Sequence, residues 1–365
     1  MSPQKSIVFT VINDLRSDQR MDKICTSLSS LGYAVTLIGR ALPDSPKLSN
    51  KPYQQIRLNC WFQKGKLFYL EYNLRLLFRH YRHRYDIYSA VDMDTLWAAC
   101  KGAQKWKSKC VLDAHEYFSE VPEVIERPLV RKFWQYWEKK WIPHTHLAYT
   151  VNQSLADIFT IAYKKSFQVI RNVPRSKKLN TIPAKEKFIL YQGALNKGRG
   201  LEGLIEAMPD IPCQLKIAGE GVLLSQLKQM VSDRHLDHKV EFLGFVPPSE
   251  LSILTQTAYI GYNVSENIGL SYYYSLNNKF FDYIQAGLPA LTNDFPEYKR
   301  HLEQFETGIL IEAPTKEFLI PAFKRLLEDE GYYHALKSNC LKAAQVWNWE
   351  NEEKILDKMY LEILS

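Results

Sequence analysis

The sequence predicts an α/β protein with two doubly wound, parallel-sheet domains. Two runs of alternating strand-like and helix-like segments indicate this, one before residue 174 and one after residue 186. Such alternation is typical of parallel sheets that carry helices on both faces. The 365 residues also favour two domains, because a single hydrophobic core rarely grows beyond about 250–300 residues.

The first run begins with an apolar segment at 6–12, a polar loop at 13–20 and a helix-like stretch at 21–31. Gly32 follows this stretch, and glycine takes the left-handed conformation that ends a helix without strain. Further strands are predicted at 34–38, 85–91, 110–114, 147–151 and 168–171, and further helices at 95–106 and 154–161. We assign this run to an N-terminal domain, residues 1–173.

The second run follows residues 174–186, whose lysines and prolines are typical of a linker. Strands are predicted at 188–192, 214–218, 240–243, 258–262, 289–292 and 308–311, and helices at 201–207, 223–231, 249–256 and 279–286. We assign residues 174–345 to a C-terminal domain. Residues 346–365 form a separate terminal element, because 346–364 predicts an amphipathic helix about 28 Å long.

Charge patterning narrows the classes of function. The formal net charge is +7, and bases alternate with aromatic residues in two helix-like segments, 64–86 and 127–141. Either the aromatic side chains pack inside and the bases are solvated, or these segments contact an anionic membrane surface. No nucleic-acid-binding motif accompanies them, so we expect no nucleic-acid partner.

The cysteines and the N-terminus point to a cytoplasmic protein. The six cysteines are scattered without a CxxC pair, which favours reduced thiols over metal or redox sites. The first residues turn polar too early for a secretion signal, and no apolar stretch reaches the roughly 18 residues of a membrane span. Peripheral attachment to the inner face of the plasma membrane is compatible with the basic segments.

The segment SLNNKFFDYIQAGLP, residues 275–289, predicts a helix with charged side chains near its start. Asn277 or Asn278 can cap this helix at its start. Lys279 and Asp282 share a face, and a helix start with a lysine can bind a diphosphate, while a carboxylate one turn later can accept hydrogen bonds from sugar hydroxyls. Spacing alone favours an ordinary capped helix with an i,i+3 ion pair.

The same segment closely resembles the S-x-P-N-K-x-F-E-Y-x-x-A-G-x-P signature of retaining, GT-B-fold glycosyltransferases of the family 4 type. The resemblance implies a fold of two Rossmann-like domains that face a cleft, with a C-terminal helix that crosses back to the first domain. It also implies that Lys279 contacts the diphosphate of a nucleotide-sugar donor and that Asp282 contacts the donor nucleoside.

Several positions of the signature extend this donor site, and two depart from it. Ser275 and Asn278 match, whereas Asn277 replaces the usual proline and Asp282 replaces the usual glutamate. Tyr274 stands where many relatives carry a further glutamate that contacts the sugar, so that contact is absent here or made by another group.

Three more segments of the second half match the family in order. In YQGALNKGRGLEGLIEA, residues 191–207, Arg199 is implied as a second phosphate-binding base, and Ala194 leaves one cation fewer than in many relatives. LKIAGEG, residues 215–221, supplies two glycines at which a backbone without Cβ can approach a ligand. The remaining donor-side residues implied by these segments and by VEFLGFVPPSEL, residues 240–251, are Gly193, Gly219, Gly221, Phe245 and Val246.

In the first half, VLDAHEYF resembles the strand of the family that ends in an aspartate-x-histidine turn. The resemblance implies that His115 lies near the donor sugar, and Glu116 beside it is a weaker candidate. The loop NDLRSDQR resembles an acceptor-side loop of a subgroup, which makes Asp18 and Arg20 candidates there or partners in a local ion pair.

VDMDTL, residues 91–96, contains a D-x-D pattern that binds a metal in another glycosyltransferase fold. We expect no metal here, because Asp94 before Thr95 is a natural helix N-cap and the GT-B fold uses bases and helix ends instead.

The sequence therefore predicts a metal-independent, retaining hexosyltransferase that moves a sugar from a nucleotide-sugar donor to a glycan or lipid-linked acceptor, without a cofactor. A GT-B subunit that binds nucleotide and activates a partner is the alternative, and a nonhydrolysing sugar-nucleotide epimerase is a less favoured one. A nicotinamide-dependent oxidoreductase is disfavoured, because neither half has the GxGxxG turn that it requires.

Overall fold

The chain divides into two units, each built on one parallel sheet. Unit 1 comprises Met1–Asn172 and Glu352–Ser365, and unit 2 comprises Val173–Asn351. The structure is a computed structural model that describes residues 4–16, 18–176 and 186–364. Most of the predicted linker, residues 177–185, therefore lies outside the described residues.

Unit 1 contains a seven-stranded sheet with the strand order β3-β2-β1-β4-β5-β6-β7. All of its strand pairs are parallel. Its elements are β1 (Ser6–Thr10), α1 (Gln19–Ser30), β2 (Ala34–Arg40), β3 (Gln54–Leu58), α2 (Gly65–Arg82), β4 (Ile87–Val91), α3 (Asp92–Trp106), β5 (Lys109–Ala114), α4 (Pro122–Ile125), α5 (Pro128–Trp141), β6 (Leu147–Thr150), α6 (Gln153–Tyr163) and β7 (Gln168–Val169). The strand order reverses between β1 and β4, which opens a crevice at their carboxyl ends.

Unit 2 contains a six-stranded parallel sheet with the order β10-β9-β8-β11-β12-β13. Its elements are β8 (Phe188–Gln192), α7 (Leu201–Ala207), β9 (Gln214–Ala218), α8 (Leu224–Asp233), β10 (Val240–Gly244), α9 (Pro248–Thr257), β11 (Ile260–Asn263), α10 (Leu270–Tyr273), α11 (Asn278–Gln285), β12 (Ala290–Asn293), α12 (Pro296–Gln304), β13 (Gly308–Ile311), α13 (Lys316–Glu328) and α14 (Glu330–Val346). Here the order reverses between β8 and β11.

The last helix, α15 (Trp349–Leu364), begins with residues of unit 2 and continues in unit 1 from Glu352 onwards. Within unit 1, Glu352 forms an ion pair with Arg171 (3.0 Å). Tyr360 lies buried against Phe9 of β1, and its hydroxyl is 3.4 Å from that of Tyr149 in β6. The end of the chain thus completes the core of unit 1.

The sequence-based strands of unit 2 agree with the structure to within about two residues, and α7 and β13 begin and end as predicted. The two basic segments of unit 1 are helical, as α2 and α5. Six elements were not predicted: β3, α4, α10, α12, α13 and α14. The predicted helix at 346–364 is in fact interrupted, because α14 ends at Val346 and α15 begins at Trp349. Among the described residues, no helix combines the length and apolar content that a membrane span requires.

Candidate functional site

Three glycine turns at the carboxyl ends of β8, β9 and β10 form the floor of the reversal point in unit 2. Gly193 donates its N–H to the carbonyl of Ala218 (2.9 Å), and Gly219 donates to that of Gly244 (2.8 Å). A Cβ on Gly219 would lie 1.9 Å from the Gly193 carbonyl oxygen, and one on Gly221 would lie 2.4 Å from that of Leu195. Gly219 and Gly221 thus make room for the neighbouring loop, and the approach of a ligand to their backbone stays a prediction.

Helix α11 begins beside this floor, and its first residues are fixed by side chains from elsewhere in unit 2. Asn277 precedes the helix, but its side chain makes no capping hydrogen bond. Its Oδ1 accepts a hydrogen bond from Arg199 Nη1 (3.3 Å), and its backbone N–H donates to the Tyr298 hydroxyl (3.0 Å). The predicted side-chain cap is therefore wrong, because Asn277 holds Arg199 instead. Gly287, with φ of 65°, ends the helix as expected.

Lys279, in the first turn of α11, has an aromatic ring and a second cation near its ammonium group. Its Nζ lies 3.9 Å from the centroid of the Tyr191 ring, and a Cβ on Gly193 would lie 3.7 Å from it. Among the described residues, no carboxylate lies within 4.0 Å of this ammonium. The predicted ion pair with Asp282 is therefore not formed. Burial, and next the charge of Arg199, hold the pKa of Lys279 well below its ordinary value.

Asp282, one turn later on α11, points to the end of β8. Its Oδ2 accepts a hydrogen bond from Gln192 Nε2 (3.2 Å), and Gln192 Oε1 accepts one from Thr255 Oγ1 of α9 (2.8 Å). Gln192 and Thr255 are buried, while Asp282 is partly exposed. The chain of hydrogen bonds fixes the direction of a carboxylate that retains accessible surface.

The other donor-side candidates lie on loops of unit 2. Phe245 directly follows β10 and is 71% exposed, whereas Val246 packs against an apolar cluster with Leu288. Tyr274 follows α10 and contacts the Tyr273 ring edge to face, with centroids 5.0 Å apart. Ser275 donates from Oγ to the carbonyl of Tyr272 (2.8 Å). Asn278 is exposed at the start of α11.

A second polar cluster lies at the reversal point of unit 1 and joins two of the candidate residues. The buried guanidinium of Arg20, at the start of α1, contacts both carboxylate oxygens of Asp113 in β5, at 2.7 and 3.2 Å. His115 Nε2 lies 3.1 Å from Asp113 Oδ2 and 3.0 Å from Arg20 Nε. Arg20 also donates from Nη1 to the carbonyl of Ile170 (2.9 Å). The ion pair of Arg20 is therefore not the local one that the sequence offered as an alternative, since its partner lies 93 residues away.

Asp92 completes this cluster from the carboxyl end of β4. Its Oδ1 accepts the backbone N–H of His115 (2.7 Å), and its own backbone has φ of 54°, which is rare for a residue other than glycine. Burial alone would lower the pKa of His115, but Asp113 and Asp92 raise it to about 8, although Arg20 opposes them. Burial would raise the pKa of Asp113, but Arg20 and His115 lower it to about 2.

The remaining unit 1 candidates have separate places. Asp18 caps α1, because its Oδ1 accepts the backbone N–H of Met21 (3.0 Å). Glu116 is exposed beside the cluster. Asp94 is not the N-cap that the sequence predicts: α3 already begins at Asp92, so Asp94 lies inside the first helical turn. It is buried there, and burial followed by the charges of Asp92 and Glu116 raises its pKa well above the ordinary value.

Sequence reasoning missed several residues that shape these two clusters. Tyr191 and Gln192 end β8 directly before the glycine turn, where ligand-binding side chains of a doubly wound sheet are expected. Asp113 stands within the aspartate-x-histidine turn that singled out His115. Their position at the carboxyl end of a strand was a usable signal for these three residues. Thr255 and Tyr298, by contrast, carry no local signal, because they act through neighbours distant in the chain.

Comparisons with known protein families match the sequence of unit 2. Residues 172–343 match the family model described as "Glycosyl transferases group 1". The chain is 26% identical over 175 residues to the N-acetylgalactosamine-N,N'-diacetylbacillosaminyl-diphospho-undecaprenol 4-alpha-N-acetylgalactosaminyltransferase of Campylobacter jejuni. That match covers 47% of this chain and 46% of the relative, so the chain spans about half the length of the curated relative.

Solved structures match along almost the whole chain. Sucrose-phosphate synthase from Thermosynechococcus elongatus has a TM-score of 0.82 at 18% identity and covers 99% of both chains. The Anabaena HepE protein, in complex with UDP-glucose, has a TM-score of 0.78 at 14% identity and covers 98% of this chain and 99% of its own. At such identities the likeness establishes the fold, which is that of GT-B glycosyltransferases.

Proposed function

We propose that this chain transfers a hexose from a nucleotide-sugar donor to a glycan or lipid-linked acceptor, with retention of anomeric configuration. The observation that carries this proposal is the pair of cations Lys279 and Arg199 beside the glycine turns of unit 2, with no carboxylate of the described residues within 4.0 Å of the lysine ammonium. Two part-buried cations at a helix start are costly unless an anion joins them. A donor diphosphate is an anion of the right charge for this place.

The proposed chemistry needs those cations where negative charge develops. The bond between the sugar C1 and the diphosphate oxygen breaks, and its electron pair remains on that oxygen. The hydroxyl oxygen of the acceptor bonds to C1 on the same face, and its proton passes to the departing phosphate. Lys279 and Arg199 stabilise the departing diphosphate electrostatically, so this step requires neither a protein nucleophile nor a metal.

The neighbouring groups suit the rest of a donor. Asp282 is oriented by Gln192 and keeps accessible surface, so it can accept hydrogen bonds from ribose hydroxyls. The exposed ring of Phe245 and the backbone of Val246 are proposed to recognise the base. Ser275, Asn278 and Tyr274 remain proposed donor contacts, with Tyr274 at the place of the missing glutamate.

The residues of unit 1 have proposed roles that rest on the family resemblance. His115 is proposed to orient the donor sugar, and Asp18 and Arg20 to border the acceptor side. In the structure, Arg20 is held by Asp113 and Asp18 caps α1. We therefore propose that both support the acceptor side through the position of the loop at 13–20.

The acceptor is proposed from the relatives. The Campylobacter jejuni relative carries in its name a glycan on diphospho-undecaprenol. A lipid-linked glycan is accordingly the acceptor class that we propose, with a role in cell-surface polysaccharide or glycoconjugate biosynthesis at the cytoplasmic face of a membrane.

Replacement of Lys279 by alanine tests this function. We expect turnover with the preferred donor to fall about 10²- to 10³-fold, the usual cost of removing one electrostatic contact to a transition state. Lys299→Ala is the matched control, because Lys299 of α12 is an exposed lysine that pairs with Asp294. An unchanged rate in Lys279→Ala would refute the assignment.

The alternative of a nucleotide-binding subunit is favoured by Ala194 and Tyr274, which replace an arginine and a glutamate of many relatives. The two functions differ in donor hydrolysis. A thermal-shift panel with UDP-, GDP-, dTDP- and ADP-sugars first identifies the donor, because a ligand that binds the folded state raises the melting temperature. Slow release of free sugar from that donor by the isolated protein then supports the transferase, and none supports the subunit.

A further inference from the structure

Helix α2 of unit 1 has apolar side chains on two opposite faces. Phe68, Tyr72 and Leu76 recur every four residues and are buried in the unit. Another apolar row recurs at spacings of three and four on the opposite side and is 40–58% exposed: Leu67, Leu70, Leu74, Phe78 and Tyr81. A helix of a globular domain normally needs only the inner stripe. The outer stripe, about 21 Å long at 1.5 Å per residue, therefore has no role in the core of unit 1.

Helix α5 repeats this arrangement. Its inner face buries Trp134 and Trp141, while Leu129, Phe133 and Tyr136 recur on its outer face and are 49–83% exposed. Tyr69 of α2 and Trp134 of α5 meet edge to face, with ring centroids 5.9 Å apart. The two helices are thus neighbours. We call their two outer stripes the α2–α5 patch.

Basic side chains accompany the patch. Helix α2 contains four arginine and lysine residues and one glutamate, and α5 contains four and one. The glutamate of α2, Glu71, is paired with Arg75 (2.7 Å), and that of α5, Glu138, is buried, with its pKa raised to about 7 by burial. The exposed charge beside the apolar stripes is therefore positive.

Helix α3 adds further bases next to both helices. Lys105 Nζ lies 4.5 Å from the centroid of the Tyr81 ring in the outer stripe of α2, and Lys101 Nζ lies 5.4 Å from that of the Trp141 ring on the buried face of α5. Long basic side chains whose stems cover aromatic rings can place their charged ends in water while the rings enter an apolar phase. Aromatic and basic residues together are typical of protein segments that lie at a membrane interface.

From this arrangement we infer that the α2–α5 patch docks unit 1 on an anionic lipid surface. The apolar side chains enter the boundary between headgroups and acyl chains, and the lysines and arginines at its edges bind the negative headgroups. Charge complementarity selects a lipid surface with net negative charge, and each base near such a surface strengthens binding about fivefold. The inference concerns unit 1 alone and does not depend on the donor site of unit 2.

Sedimentation with vesicles tests the inference. The full chain is mixed at low ionic strength with vesicles of phosphatidylcholine alone and with vesicles that also contain phosphatidylglycerol. We expect binding to the mixed vesicles and a loss of that binding at high salt. A Leu70→Gln, Leu74→Gln, Phe78→Gln variant should bind about tenfold more weakly or worse. A Lys132→Gln, Lys139→Gln, Lys140→Gln variant should lose about fivefold for each charge.

The matched control replaces two exposed apolar residues of unit 1 outside the patch, Ile161→Gln and Leu361→Gln, which are 81% and 57% exposed. This control should bind like the unmodified chain, and thermal unfolding curves should show that all variants remain folded. Absence of binding to the mixed vesicles, or unchanged binding by the α2 variant, would overturn the inference. A dimer in solution that the α2 variant dissociates, without vesicle binding, would show instead that the patch joins two copies.

Discussion

The polar clusters at the two sheet reversal points differ in how their charges are balanced. In unit 1, the guanidinium of Arg20 and the imidazole of His115 share the carboxylate of Asp113. In unit 2, the ammonium of Lys279 lies over the Tyr191 ring, and Arg199 is held by an amide oxygen. The first cluster pairs its charges within the protein, whereas in the second no carboxylate of the described residues lies within 4.0 Å of the lysine ammonium.

The pKa values of the two clusters record this difference. In unit 1, the pKa of Asp113 falls to about 2 and that of Arg20 rises, in both cases against the effect of burial. In unit 2, burial and Arg199 both lower the pKa of Lys279. A completed ion pair stabilises a local structure, and an uncompensated cation favours a ligand that brings negative charge. The comparison therefore predicts effects on stability in unit 1 and on ligand binding in unit 2.

The largest effect on stability is expected for Asp113→Asn. The change leaves the buried guanidinium of Arg20 without a carboxylate, which costs about 3–5 kcal/mol of unfolding free energy. Denaturant unfolding measures this loss. The double variant Arg20→Met, Asp113→Asn should recover most of it, because the unpaired guanidinium is removed together with its partner. If Asp113→Asn is as stable as the unmodified chain, the cluster of unit 1 is not a completed ion pair.

The pH dependence of stability tests the place of His115 in the same cluster. Its folded pKa of about 8 lies above the ordinary value of 6.5. Its contribution to stability is therefore fully present below pH 6.5 and lost as the pH rises through about 8. The shift corresponds to about 2 kcal/mol. The difference between the unfolding free energies of the unmodified chain and of His115→Gln should be larger at pH 6 than at pH 9 by about this amount. An equal difference at both pH values would contradict the raised pKa.

The sequence predicted the architecture and the two cations of unit 2. Apolar runs such as FILYQ and glycine turns are local signals, and they placed β8, α7 and the start of α11 close to their observed positions. The resemblance to the family signature, and not these local signals, singled out Lys279 and Arg199. Strand β3 was missed because QQIRL is mostly polar, as befits an edge strand that is only partly buried.

The features that the sequence did not predict depend largely on contacts between residues distant in the chain. Arg20 and Asp113 are 93 residues apart, and no spacing rule indicates that they pair. Asn277 looked like a helix cap, but Arg199 competes for its side-chain oxygen. Asp94 looked like a cap as well, but α3 begins three residues before the predicted start, at Asp92, whose φ of 54° is unusual. In each case a tertiary contact or a strained residue overrode the local preference.

Lys279→Ala should change stability little, in contrast to Asp113→Asn. Loss of the contact with the Tyr191 ring destabilises the chain by about 0.5–1 kcal/mol. Removal of a buried cation with a depressed pKa stabilises it by a similar amount. We therefore expect unfolding free energies within about 1 kcal/mol of the unmodified chain at neutral pH, measured by denaturant unfolding without ligand. A loss as large as that of Asp113→Asn would show that Lys279 has a structural role.

The smallest effect is the uptake of less than one proton per molecule when a nucleoside diphosphate binds. The pKa of Lys279 is low without ligand, and a bound diphosphate raises it, so part of the population gains a proton and affinity falls as the pH rises through this range. Calorimetry in two buffers of different ionisation enthalpy measures this uptake, at a pH well above the terminal phosphate titration near about 6. Lys279→Arg keeps the charge but does not titrate, so its uptake should vanish. Equal uptake in both proteins would show that a group other than Lys279 takes up the proton. Lys279 would then not be the cation whose charge a bound diphosphate stabilises.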